Sequence, residues 1–157
     1  MSHRGLGAIL AALAVAATAA APVAARSSTA VHTGFLKTPS KKIYCDYLYG
    51  GKNKSFRYVR CGIKGALVPP EPKPKGGCHV VDYVGNRLAL HQTGRGRTEP
   101  CAGDVGPFAD PGAAKTVRYG RTWHGGPFTC TSSRTGMTCR NPGGHGFVIA
   151  HRHWRVF

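Results

Sequence analysis

Acidic side chains are scarce. Six Asp and Glu stand against 22 Lys and Arg in 157 residues, a formal charge of +16 near neutral pH. That shortage leaves little material for chemistry that runs on paired carboxylates, such as glycoside hydrolysis. Long apolar runs are missing beyond residue 25, so nothing later in the chain has the length of a membrane-spanning helix. Helical periodicity is missing as well. Past the same point, every ten-residue window that begins an apolar helical stripe is broken by one of the chain's Gly or Pro residues. What remains is a turn-rich β pattern.

The first 25 residues read as an export signal. Arg4 gives a short positive start, Leu6 to Ala21 is an uncharged, alanine-rich apolar run, and Pro22-Val23-Ala24-Ala25 offers small residues to a signal peptidase. No cysteine lies near residue 25, which argues against a lipid anchor. The expectation is cleavage after Ala25 and a secreted protein, with residues 26–34 as a flexible lead-in and residues 35–157 as one domain. All six cysteines follow the signal. An even number in an exported chain implies three disulfides that supplement a hydrophobic core.

Two hairpins carry the strongest local signal. Around Cys130 and Cys139, alternation places Phe128, Cys130, Met137 and Cys139 on one face and Thr129, Thr131, Thr138 and Arg140 on the other. If the cysteines face each other, residues 133–136 are the loop, and Gly136 supplies a positive φ at its end. The same logic repeats upstream. Ile43, Cys45, Tyr47 and Tyr49 share a face, and pairing Cys45 with Cys61 brings Val59 and Ile63 opposite them in register. Cys78 and Cys101 flank residues 80–91, where Gly85-Asn86 reads as a tight turn between strands 80–84 and 87–91. Six cysteines allow 15 pairings; the two in-register hairpins favour Cys45–Cys61, Cys78–Cys101 and Cys130–Cys139. The proline-rich segment Val68 to Gly77 reads as a surface crossover. Residues 117–123 and 147–157 read as further strands. The expected fold is all-β: a single antiparallel β-rich domain, sandwich or barrel-like, with three disulfides.

These residues resemble a family. Thr38-Pro39-Ser40-x-x-Ile43-x-Cys45-x-Tyr47, Arg60-Cys61-x-Ile63, Cys101-x-Gly103-Asp104, Tyr119-Gly120-x-Thr122-Trp123 and Gly144-His145-Gly146-Phe147 are similar to small exported actinobacterial proteins known only as a domain of unknown function. Lys41-Lys42, Tyr83 and Ala150-His151 depart from that pattern. The resemblance spans about residues 35 to 157 and implies export, three disulfides and one β-rich domain. It implies no activity.

Charge supplies the functional expectation. A surplus this large attracts polyanions, and Lys41, Lys42, Lys52, Lys54, Arg57 and Arg60 crowd the first hairpin while Arg95 and Arg97 mark a second basic loop. The expected function is a non-catalytic extracellular module binding an anionic polymer: a cell-wall polymer, acidic glycan or nucleic acid. No cofactor is expected. Two alternatives stand beside it, a small secreted hydrolase or nuclease using His145, and an extracellular inhibitor or defence protein. His145 sits among glycines, as an acid/base on a close-approaching loop would. His151 and His153 alternate on an expected strand and so share a face, as two metal ligands would. Gly103-Asp104-Val105-Gly106-Pro107 has the outline of a serine-protease nucleophile loop, but Val105 has no oxygen to attack with.

Overall fold

The computed structural model describes residues 30–79 and 82–157. The export signal expected at residues 1–25 lies outside them. Among the described residues the strands are β1 (Val31–Lys37), β2 (Ile43–Gly50), β3 (Tyr58–Ile63), β4 (Asp82–Tyr83), β5 (Arg87–His91), β6 (Arg97–Thr98), β7 (Cys101–Ala102), β8 (Lys115–Thr116), β9 (Thr122–Gly125), β10 (Phe128–Ser133), β11 (Gly136–Arg140), β12 (Gly146–Ala150) and β13 (Trp154–Val156). Short 3-10 turns occur at Lys54–Phe56 and Gly106–Phe108.

The strands form a six-stranded sheet in the order β6-β5-β3-β2-β1-β8, a five-stranded sheet β13-β12-β11-β10-β9, and the small pair β4-β7. The two large sheets face each other across one core. Leu36, Ile43, Cys45, Val59, Cys61, Ile63, Leu88 and Leu90 come from the first; Phe128, Cys130, Met137, Cys139, Phe147 and Ile149 come from the second. Alternation along each strand sends every second residue inward, which is why period-two apolar patterns close into a sandwich. The disulfides are Cys45–Cys61, Cys78–Cys101 and Cys130–Cys139, and Cys45↔Cys61 and Cys130↔Cys139 are in-register pairs.

Several local expectations are corrected. Residues 31–34, read as lead-in, are the start of β1, and all seven residues of that strand pair with β2. The sheet is not wholly antiparallel, because β8 joins β1 in parallel through Leu36↔Lys115 and Lys37↔Thr116. Gly85-Asn86 closes no hairpin. Asp82–Tyr83 pairs with Cys101–Ala102, and β5 turns away to pair with β3 and β6. Asn86 instead bonds β3: its Nδ2 donates to Ile63 O at 3.1 Å, and its own carbonyl accepts from Ile63 N. Gly136 has no positive φ. Ser133 pairs with Gly136, so the loop is only Arg134-Thr135, and glycine is required because a Cβ there would run into Ile149 O and Ala150. Residues 147–157 are not one strand but a hairpin, turning at 151–153 with Ala150 N donating to His153 O at 3.0 Å.

Candidate anion-binding site

Three turns gather at one end of the sandwich: residues 38–42 between β1 and β2, Arg134-Thr135 between β10 and β11, and 151–153 between β12 and β13. The first is closed from within. Lys41 N donates to Thr38 O at 2.9 Å, Thr38 N to Ile43 O at 3.0 Å, and Ile43 N to the Thr38 hydroxyl at 3.3 Å. Lys41 takes a positive φ of 55°, a conformation that side chains adopt rarely and that marks a turn held by its surroundings. The second turn is capped by Ser133, whose hydroxyl accepts from Gly136 N at 3.1 Å and lies 2.9 Å from the Thr135 hydroxyl.

Between these turns lies a cavity of about 160 Å³, lined by Thr38, Ser40, Lys42, Ile43, Ile63, Ser133, Arg134, Thr135, Gly136 and His151. A second hollow beside it is bounded by Arg134, Thr135, Ala150, His151, Arg152 and His153. Lys42, Arg134, His151, Arg152 and His153 are all exposed. No Asp or Glu lines either hollow, and none follows Asp110 in the chain. Thr38 and Ser133 spend their hydroxyls on Ile43 O and Gly136 O, but Ser40 and Thr135 present exposed hydroxyls beside Lys42 and Arg134 with no carboxylate to neutralise the charge, which is the chemistry of an oxyanion site.

The expected binding residues do not form one patch. Lys41 and Lys42 are at this end. Lys52, Lys54 and Arg95 are exposed on loops at the opposite end. Arg57 is half-buried and bound up internally, donating to Gly50 O at 3.0 Å, Gly51 O at 2.6 Å and Gln92 Oε1 at 3.0 Å. Arg97 is exposed, with a guanidinium nitrogen 2.8 Å from His91 Nε2.

Arg60 is the clearest departure. On the outer face of the six-stranded sheet its Nη2 lies 2.6 Å from Asp46 Oδ2 and 3.2 Å from Asp104 Oδ2, with Glu99 Oε2 3.7 Å from Nη1. Arg87 adds a contact of 2.9 Å to Asp104 Oδ1 and donates to Asp104 O at 2.7 Å. Three of the six acids therefore surround Arg60, and its charge is already matched. Burial pushes the Asp46 carboxyl above its ordinary value despite Arg60, and Glu99 moves the same way for the same reason. At Asp104 burial also works against ionisation, but Arg60 and Arg87 outweigh it and hold the carboxyl low. This cluster pins the 99–109 loop to the sheet.

His145 is exposed at the end opposite the three-turn cavity, on the 141–145 turn, where its backbone O accepts from Asn141 N at 2.9 Å. The strand on which His151 and His153 were to share a face does not exist; both lie on an exposed turn. Among the described residues no group of three or more His, Cys, Asp or Glu is placed to hold a metal.

Sequence reasoning missed Arg134 and the hydroxyls around it, because each is unremarkable in its own segment. The absence of acid after Asp110 was the available signal. It also missed the acids around Arg60, since Asp46, Glu99 and Asp104 are far apart in the chain.

Among the described residues no helix is long and apolar enough to cross a membrane, and three disulfides fit an oxidising compartment. No curated protein and no solved structure matches the chain significantly. A family model does, over residues 6–157, and its description is a family of unknown function, DUF6636; the chain belongs to that family.

Proposed function

We propose that the protein is an exported, non-catalytic module that binds an anionic polymer, gripping a phosphate, sulfate or carboxylate group in the three-turn cavity. The observation that carries this reading is the convergence there of Lys42, Arg134, His151 and four hydroxyl side chains without one acid. Lys42 and Arg134 donate to the anion's oxygens, and Arg152 extends the positive field beside them. Long-range charge supplies encounter and the cavity supplies selectivity.

The test is sedimentation with purified cell envelope, nucleic acid and acidic glycan across a salt series. Binding falls with salt as neutralised anionic groups regain their counterions. The expected result is a preference for one polymer that persists near physiological salt and is weakened in Lys42→Ala and Arg134→Ala. Equal binding to every polyanion, lost by about 0.15 M salt where screening acts over about 8 Å, means unspecific adhesion and sinks the reading.

A further inference from the structure

Four aromatic rings run along the open edge of the sandwich, from the end carrying Lys52 and Lys54 toward β9. His32 stacks on Tyr49 with centroids 4.9 Å apart and an interplanar angle of 16°. Tyr49 lies 5.7 Å from Tyr47, and Tyr47 lies 4.6 Å from Trp123. Tyr47, Tyr49 and Trp123 are half-buried and His32 is exposed. Glycine makes room for the rings. A Cβ at Gly34 would sit 2.5 Å from Tyr47 Oη, and one at Gly126 would sit 2.6 Å from Tyr49 Cδ2. Rings laid directly on backbone are held in place before any ligand arrives, and rigid aromatics lose little entropy on binding. Among the described residues neither tyrosine hydroxyl, nor Trp123 Nε1, has a hydrogen-bond partner, and none is buried.

A hollow of about 320 Å³ opens beside the ladder, lined by Ala30, His32, Tyr49, Gly50, Arg57, Gly126 and Pro127. No acid lines it, and the loop after Gly50 carries exposed Lys52 and Lys54. Rings with a polar edge suit a ligand with apolar faces and hydroxyl edges, while the flanking cations select for negative charge. The interplanar angles range from 16° to 61° along the ladder. The rings therefore form a bent trough rather than parallel slots for successive stacked bases.

We propose that this trough is a stacking subsite for the ring of an acidic sugar, so that the anionic polymer is a polysaccharide; this rests on the polymer-binding reading above. The subsite lies at the end opposite the three-turn cavity. Strand β2 runs from Ile43, which lines that cavity, to Tyr49 beside the trough, so the two sites are about 20 Å apart at about 3.3 Å per residue, and one extended polymer segment reaches both.

The experiment titrates the full mature chain, disulfides intact, with polygalacturonate and separately with oligothymidylate, following tryptophan emission. Polygalacturonate is expected to change the emission of Trp123, read as the difference between wild type and Trp123→Phe, because Trp154 follows the 151–153 turn with its Nε1 on Pro69 O and reports separately on the opposite end. His32→Ala and Tyr49→Leu are expected to weaken polygalacturonate binding about tenfold, within the range for loss of one stacked ring. His32 is exposed, so that variant keeps the fold even if Tyr49→Leu does not. Arg134→Ala weakens binding yet keeps the emission change. Polygalacturonate binding that is indifferent to His32→Ala and silent at Trp123 overturns the subsite and leaves the three-turn cavity standing. Tighter binding of oligothymidylate with the same emission change overturns the sugar assignment. Failure to bind either polymer overturns the subsite, and failure with every polyanion overturns the broader reading too.

Discussion

Cys61 Sγ lies 3.9 Å from Cys139 Sγ. The bridges that staple the two hairpins thus meet in the middle of the core, one on each sheet. Each cross-link fixes a strand pair, and their contact fixes how the sheets stack. Cys45, Cys61, Cys130 and Cys139 are all fully buried, so the four sulfurs also act as apolar packing.

Removing either staple should therefore cost more than its loop length implies. Replacing Cys130 and Cys139 by Ala opens a closure of sequence separation 9, for which chain entropy alone gives about 3 kcal/mol, and the lost core packing moves the expected loss to about 3–5 kcal/mol. The same holds for Cys45 and Cys61. Because the sulfurs touch, the two losses should not add, with a coupling of about 0.5–3 kcal/mol. Urea unfolding of both double variants and the quadruple variant checks this. Strict additivity would place the two bridges in independent environments.

Gly136→Ala tests the turn that frames the three-turn cavity. Its Cβ would meet Ile149 O and Ala150 across the sheet, and strand backbone has no freedom to give way. The expected cost is about 1–3 kcal/mol, as for other overpacked sites, with anion binding weakened because Arg134 and Thr135 move. Thermal melting and a binding titration read the two effects. An unchanged melting temperature would show that β11 and β12 separate easily here.

The two stapled hairpins were legible because cysteine register and apolar alternation agree within a few residues of sequence. Residues 117–123 and 147–157 were half legible. The alternation through Ile149, His151 and His153 continues smoothly across a turn, so period alone could not show the break. Strand β1 was hidden for a different reason. Thr33 alone among His32, Thr33 and Gly34 favours a strand, and Gly34, a poor strand former, is there to admit the ring of Tyr47. The pairing of Asp82–Tyr83 with Cys101–Ala102 depends on contacts made only in the fold. The cavity was illegible for the same reason, since Lys42, Arg134 and His151 come from three separate turns.

Glu71 makes the stability pH-dependent. It is 3% exposed in the proline-rich crossover, and neither carboxylate oxygen has a hydrogen-bond partner. Burial pushes its carboxyl above the ordinary value, the charge of Glu99 adds to the shift, and the nearby Thr98 hydroxyl offsets only part of it. A carboxyl raised in the folded state disfavours folding once it must ionise. Its effect is absent below the unfolded value of about 4.3, and stability is lost as pH rises through the folded value. Glu71→Gln should be more stable than wild type at neutral pH and show a shallower decline with rising pH. Urea midpoints between about pH 4 and pH 8 decide it. An identical pH slope in the variant would assign the decline wholly to Asp46 and Glu99.

Arg60→Met tests whether the outer-face cluster is structural. The Arg60 side chain is 15% exposed and the Asp46 side chain 9%, so deleting the guanidinium leaves a buried carboxylate without its cation, with only the Tyr58 hydroxyl still favouring its charge. Breaking a buried pair in this way costs about 3–5 kcal/mol, and partial exposure places the expected loss at the lower end. The loss should depend on pH with a definite sign. Asp46 already sits above its ordinary value, and without Arg60 it rises further. Asp104, held low by Arg60 and Arg87, rises as well. At low pH, with both carboxyls protonated, the deletion removes little; the penalty appears as pH rises through their values. Pairing Arg60→Met with Asp46→Leu should restore most of the stability, because it removes the orphaned charge and fills the site with apolar volume. Unfolding of the three proteins at acid and neutral pH separates the cases. A penalty of equal size at both pH values would mean that Arg60 contributes packing over Tyr58, whose ring centroid its guanidinium approaches to 4.9 Å, and not charge.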